Sequence, residues 1–160
     1  MSGTNSFSLY VDGSCSGNGD AENFGGMGVV VVKEGKAVKK YSIPATNTTN
    51  NRMEMSAIIY AINIAKILNK VEKREIIIYS DSAYCVQTIN QWMYSWVVKG
   101  WKKADKKTPE NLDLIKELYE LMKFERAIKV QKIKGHNGDE FNEMADQLAT
   151  AGTQKAKEEF

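Results

Sequence analysis

The stretch Glu75–Ser80, EIIIYS, constrains the fold of this chain more than any other segment. It is a short, β-branched run of the buried-strand type, the kind found in sheets covered on both faces. The neighbouring sequence can supply that cover. Upstream, a polar stretch from Thr46 to Asn51 opens a helix whose apolar stripe is Met55, Ile58, Ile59, Ile62 and Ala65. Downstream, one helix is expected after Asp81 and another around Trp92–Val98. Thr108-Pro109-Glu110 offers a cap, a first-turn proline and an acid, and predicts a helix through Leu114, Ile115, Leu118 and Met122. Ile128–Ile133 reads as a strand. A last helix is expected from about Glu140 to Ala151, ended by Gly152.

The first third of the chain is different in kind. Ser6–Asp12 alternates, with Phe7, Leu9 and Val11 on one face. Met27–Lys33 and Ala37–Ile43 read as strands joined at Glu34-Gly35-Lys36, a hairpin signal. The resulting order is β-β-β-α-β-α-α-α-β-α. Antiparallel strands come first, followed by strands separated by helices that permit parallel crossovers. The expected class is α/β, a mixed five-stranded sheet with helices packed on both faces. One domain is expected over residues 1–160, with a core of about 6–152 and a frayed tail at 153–160.

Composition narrows the function classes. With 42% hydrophobic and 26% charged residues, the 160-residue chain is neither disordered, collagen-like nor coiled coil. No apolar run approaches the roughly 20 residues of a membrane helix, so no membrane role is expected. No signal-peptide pattern is visible at the start. Cys15 and Cys85 lack metal-ligand spacing and read as reduced thiols, which suggests a cytoplasmic protein. The net charge of +2 is unevenly placed. Residues 99–107 hold five lysines and one aspartate, and all three tryptophans lie within 92–101. A basic, aromatic patch on a near-neutral chain suggests a surface for a polyanion.

Four carboxylates stand where carboxylates are awkward. Asp12 ends the first strand and Asp81 the fourth. On parallel neighbours, both would emerge at the carboxyl edge of the sheet, where open α/β sheets bind ligands. Glu54 lies four residues before Ile58 and projects from the buried side of its helix. Asp146 sits beside the apolar face of Phe141, Met144, Ala145 and Leu148. Each alone has an ordinary explanation: a turn at Asp12-Gly13-Ser14, a helix cap at Asp81-Ser82, a capping box of Asn51 with Glu54, a solvated Asp146. Together they describe a converging site, where like charges raise one another's pKa unless a cation neutralises them. An all-oxygen ligand set suits Mg²⁺ or Mn²⁺.

The chain resembles ribonuclease H of type 1, the bacterial-like single-domain form. The resemblance rests on YVDGSCSGNG at 10–19, TTNNRMEM at 48–55, YSDSAYC at 79–85, QWMYSWVVKGWKKADKK at 91–107 and KGHNGDEFNEMAD at 134–146. It implies a ribonuclease H-like fold and an endoribonuclease acting on the RNA strand of RNA/DNA hybrids, leaving 5′-phosphate and 3′-hydroxyl ends. Asp12, Glu54, Asp81 and Asp146 would then hold two divalent ions, Mg²⁺ with Mn²⁺ as an alternative. His136 would assist proton transfer or product and metal exchange. Asn18, Asn50 and Asn51 would approach RNA 2′-hydroxyls, while Thr49 and Asn111 would hold a phosphate of the DNA strand. Trp92, Trp96, Trp101, Lys99, Lys102 and Lys103 resemble a basic handle that grips the DNA strand. The enzyme would be a monomer without an obligate protein partner. The sequence departs from that pattern at Gly19–Asn23, Asn47, Ala83, Val97 and Val98, which bears on affinity and leaves the carboxylates untouched. The alternatives are another metal nuclease of similar fold, such as a 3′–5′ exonuclease, or a non-catalytic hybrid-binding module.

Overall fold

The structure is a computed structural model, and it describes residues 7–17, 23–72, 74–133 and 139–159. Three strands come first, β1 (Phe7–Ser16), β2 (Phe24–Lys33) and β3 (Lys36–Thr46). Helix α1 (Asn50–Val71) leads into β4 (Ile76–Ser80). A helical run follows, made of α2 (Ala83–Gln87), a π-helical turn (Thr88–Trp92) and α3 (Met93–Val98). Helix α4 (Leu112–Met122), β5 (Ile128–Lys132) and α5 (Glu140–Glu159) complete the order. The two helices expected after Asp81 are thus one run of turns interrupted by the wider π turn.

The sheet order is β3-β2-β1-β4-β5. Strands β1, β2 and β3 pair antiparallel, and β1, β4 and β5 pair parallel. The mixed five-stranded sheet therefore has the pairing expected from the connections. Strand side chains divide cleanly by alternation. Leu9, Val11, Val29 and Val31 pack with Ile76, Ile78 and the α1 stripe Met55, Ile58 and Ile62 in the main core. Val30, Val32 and Tyr10 pack on the opposite face against Ala145, Phe141 and Leu148 of α5. Helices cover both faces.

Strands β2 and β3 extend three residues beyond the expected Met27 and Ile43, and three further boundaries differ from expectation, each for a tertiary reason. Strand β1 continues past Asp12 to Ser16, because β2 pairs with it residue by residue as far as Ser16↔Phe24. Helix α4 begins at Leu112 rather than at the Thr108 cap. Asn111 precedes it in a left-handed conformation (φ 61°, ψ 32°), and residues 102–109 form irregular chain. Helix α5 does not stop at Gly152, nor is the tail frayed over 153–159: the helix runs to Glu159, with Thr153 and Ala156 buried. Gly152 is there for close packing. A Cβ on Gly152 would meet the Ile43 carbonyl at 2.8 Å, and one on the facing Gly26 would meet the Ala149 carbonyl at 2.2 Å. Small residues let α5 lie almost on the backbone of β2 and β3, and that contact holds the last two turns.

Candidate active site

Parallel pairing sets the level of two carboxylates. The register Tyr10↔Tyr79 puts Asp12 and Asp81, each two residues further on, at the same height on adjacent strands. Asp12 is therefore inside its strand with respect to β2, yet just beyond its last pairing with β4. Glu54 arrives from the first turns of α1, which Thr49 caps by accepting the Arg52 N–H at 3.2 Å. The cap is Thr49, so the capping box of Asn51 with Glu54 does not form. Glu54 Oε1 instead accepts the backbone N–H of Gly13, which also donates to Asp12 Oδ1 at 3.0 Å.

Gly13 makes this meeting geometrically possible. A Cβ there would lie 2.5 Å from the Glu54 nitrogen and 2.5 Å from the Met53 carbonyl carbon. Any larger residue after Asp12 would push α1 off the sheet and withdraw Glu54 from the site. The Asp-Gly dipeptide that reads locally as a turn is thus a strand residue followed by a helix contact.

Oxygens of Asp12, Glu54 and Asp81 lie within 4.8 Å of one another. Asp12 and Glu54 are nearly buried, at 8% and 9% exposure. Burial is the first cause that drives both carboxyls upward, Asp12 to about 7 and Glu54 to about 10. Each carboxyl also raises the cost of ionising the site as a whole, because the two sit side by side with little water between them. Asp81 adds further repulsion to both. Asp146 is exposed on α5 and lies outside the group of three, but it is close enough to Asp12 to be one of the causes that raise it. Crowded, half-desolvated carboxyls with an all-oxygen donor set fit a hard divalent cation, which would relieve the repulsion that protonation now relieves.

The other described residues singled out in the sequence lie at the start of α1, ahead of α4, and in and after the helical run that follows β4. Asn50 and Asn51 are exposed at the start of α1, beside the capping Thr49, and Asn111 is half-buried ahead of α4. Trp92 and Trp96 pack with tilted rings at a centroid distance of 6.0 Å, and the Tyr84 ring lies 6.2 Å from that of Trp92. With Lys99, Lys103 and Pro109 they line a groove of about 630 Å³. Packing and groove formation are the same feature here. Trp101 turns the other way, edge-on to Tyr119 at 5.6 Å with Lys116 over its ring, and it supports the handle from the core side. Lys102 is exposed and bonded to Thr108 at 3.1 Å. Lys106 and Lys107 are exposed as well. Asn18 and His136 lie outside the described residues. Cys85 is fully buried with its thiol pushed up to about 12 by burial, a packing residue as expected.

Two contributors were not visible beforehand. Tyr84 joins the groove, signalled only by its helical spacing of eight from Trp92. Asn23 is buried and ties the chain before β2 to the chain before α1. Its amide accepts from the Thr48 N–H at 2.8 Å and donates to the Thr48 carbonyl at 2.8 Å and the Gly17 carbonyl at 3.1 Å. No local pattern distinguishes that asparagine from a turn residue.

Fold and site together define an α/β protein with a carboxylate edge that could hold a cation and, elsewhere on its surface, a basic, aromatic groove. The RNase H family model matches residues 4–154. A ribonuclease H of Chlorobium phaeovibrioides is 40% identical over 148 residues, 92% of this chain and 94% of its own length. Those of Clostridium botulinum and Escherichia coli are 38% identical over 153 residues and 41% over 143, covering 95% and 89% of this chain and 95% and 86% of their own. Among solved structures, the RNase H domain of PFV superposes with a TM-score of 0.80 at 27% identity, covering 96% of this chain and 97% of its own. A type 1 RNase H with the type 2 active-site motif gives 0.69 at 30% identity, covering 96% of this chain and 74% of its own. An RNase H solved in complex with an RNA/DNA hybrid gives 0.68 at 25%, covering 94% of this chain and 99% of its own. The chain belongs to the RNase H family. It is a hydrolase of the ribonuclease H type, and the metal dependence of that family agrees with its acidic cluster.

Proposed function

We propose that the chain hydrolyses the RNA strand of RNA/DNA hybrids at the edge formed by Asp12, Glu54 and Asp81, with Asp146 completing the set. The observation that carries this reading is the convergence of three carboxylates within 4.8 Å on the fold of a hybrid nuclease. Two divalent cations, Mg²⁺ or Mn²⁺, would be held by these four residues and would activate water and stabilise the departing 3′ oxygen. Among the residues themselves, Gly13 fixes the Asp12 and Glu54 carboxyls through its N–H, and burial keeps them crowded until charge arrives. His136 assists proton transfer or product and metal exchange. Products carry 5′-phosphate and 3′-hydroxyl ends.

Substrate choice belongs to the flanks. Asn18, Asn50 and Asn51 read 2′-hydroxyls across the minor groove, the groups that separate RNA from DNA. Thr49 and Asn111 take a DNA-strand phosphate, and the groove of Trp92, Trp96, Lys99 and Lys103 follows the same strand, with Lys102 and Trp101 behind it. The chain acts as one domain over 1–160, as a cytoplasmic monomer without an obligate partner. One continuous sheet supports the single domain, and no described helix is long and apolar enough to cross a membrane.

Matched duplexes test the reading. With Mg²⁺, the RNA strand of a hybrid is cut internally, RNA/RNA is cut poorly and DNA/DNA is untouched. A single ribonucleotide embedded in DNA is also left intact, because neighbouring 2′-hydroxyls are read together. Digestion only from a 3′ end, or hybrid binding without cleavage, would overturn the assignment.

A further inference from the structure

Thr49 and Asn111 come from distant parts of the chain, and one residue reaches both. The backbone N–H of Arg52 donates to Thr49 Oγ1 at 3.2 Å. Its guanidinium Nη1 donates to Asn111 Oδ1 at 3.4 Å. The same planar fork grips Asp113 through Nη1–Oδ1 at 3.0 Å and Nη2–Oδ2 at 2.7 Å. Each contact occupies one lone pair of its acceptor. The threonine oxygen takes an N–H, so its hydroxyl hydrogen is directed elsewhere. The asparagine carbonyl faces a cation, so its NH₂ points the other way; a flipped amide would set N–H against N–H. Asn111 also holds a left-handed backbone (φ 61°) that only a few residue types tolerate.

Stability does not explain this investment of contacts. The Asp113 side chain is 64% exposed, and ion pairs that open to water contribute little. Nor does bare charge, since Asp113 neutralises the guanidinium in a bidentate pair. What the fork contributes is direction. We propose that Arg52 is a positioning residue for phosphate recognition: its fork holds the Asn111 carbonyl so that the amide N–H, beside the Thr49 hydroxyl, is presented to one phosphate of the DNA strand. The proposal rests on the assignment of those two side chains to that phosphate.

Lysine at position 52 separates direction from charge, because it keeps the cation and lacks the planar fork. The experiment measures KM and kcat with Mg²⁺ on hybrids carrying one uncharged methylphosphonate at successive DNA-strand positions. In the wild type, one position raises KM about tenfold, the effect of losing charge-assisted hydrogen bonds. Asn111→Ala loses that position-specific penalty. Arg52→Lys is expected to raise KM on the unmodified hybrid about tenfold and to lose the same penalty, with kcat within about twofold and the melting temperature unchanged. Adding Arg52→Lys to Asn111→Ala should raise KM little further. Retention of the full penalty by Arg52→Lys, or additive effects in the double variant, would overturn the proposal while leaving the phosphate assignment standing. A wild type insensitive at every DNA-strand position would instead overturn the phosphate assignment, and the proposal with it.

Discussion

Removing one charge from the crowded edge should strengthen the metal-free protein while abolishing its activity. The substitution is Asp12→Asn. Its folded pKa is raised from 3.8 to about 7, first by burial. A carboxyl raised in this way contributes stability that is present below its unfolded pKa and lost as pH rises through the folded one. In the absence of metal, Asp12 alone therefore costs the wild type about 1.4 kcal/mol per pH unit across this window, on the order of 4 kcal/mol in all between pH 4 and 7, a loss added to that from Glu54, which the variant keeps. Asparagine cannot ionise and escapes that loss. It also weakens the contacts with Gly13 and Glu54, at about 1 kcal/mol each. The net gain at pH 8 is about 2 kcal/mol, or roughly 4–8 °C in Tm for a chain of this size. At pH 5 only about one unit of the penalty has accrued, and the two proteins should melt within a few degrees of each other. The assay is thermal and urea unfolding in EDTA at both pH values, repeated with Mg²⁺. Mg²⁺ should stabilise the wild type more than the variant and reduce its pH slope, because bound cation favours the ionised site. A variant less stable than wild type at pH 8 in EDTA, or one with the same pH slope, would refute the view that the carboxyls are held in mutual repulsion. Cleavage by Asp12→Asn at near wild-type rate would refute the site.

Four further outcomes are expected. His136→Ala should slow turnover by about 10²-fold without eliminating it, and a loss as complete as that of Asp12→Asn in a steady-state assay would make it a ligand or a shaping residue instead. Neutralising Lys99, Lys102, Lys103, Lys106 and Lys107 together should raise KM and flatten its salt dependence by about 0.7 to 0.9 of an ion per lost phosphate contact, with kcat retained; an unchanged salt slope would leave these lysines a solvated face. Gly26→Ala drives a methyl into the Ala149 carbonyl and should cost about 3 kcal/mol in urea unfolding. Deleting residues 153–160 should lower the melting temperature by several degrees, since Thr153 and Ala156 are buried against the sheet, whereas a frayed tail would leave it unmoved.

Much of this protein is written locally in its chain. The alternation of Phe7, Leu9 and Val11, the unbroken isoleucines of β4 and the stripe of α1 each express a preference that a few neighbouring residues settle. Strand pairing followed from connection lengths, and with it the meeting of Asp12 and Asp81. Three of the four carboxylates converge as their positions implied, while Asp146 stands at the exposed rim. The misread boundaries share one cause: they depend on contacts between segments far apart in sequence. Gly152 resembles a helix stop because glycine usually is one, yet here it faces Gly26 across 126 positions and lets α5 continue. Thr108-Pro109-Glu110 carries good capping chemistry, but α4 starts later, after a left-handed Asn111 held by Arg52 from α1. Gly13 reads as a turn residue and serves as the gap through which α1 brings Glu54 to Asp12. Periodicity and capping are decided within about four residues and survive in the sequence. A close approach between two backbones has no local signature, because the space a glycine leaves has meaning only once another element has come to fill it.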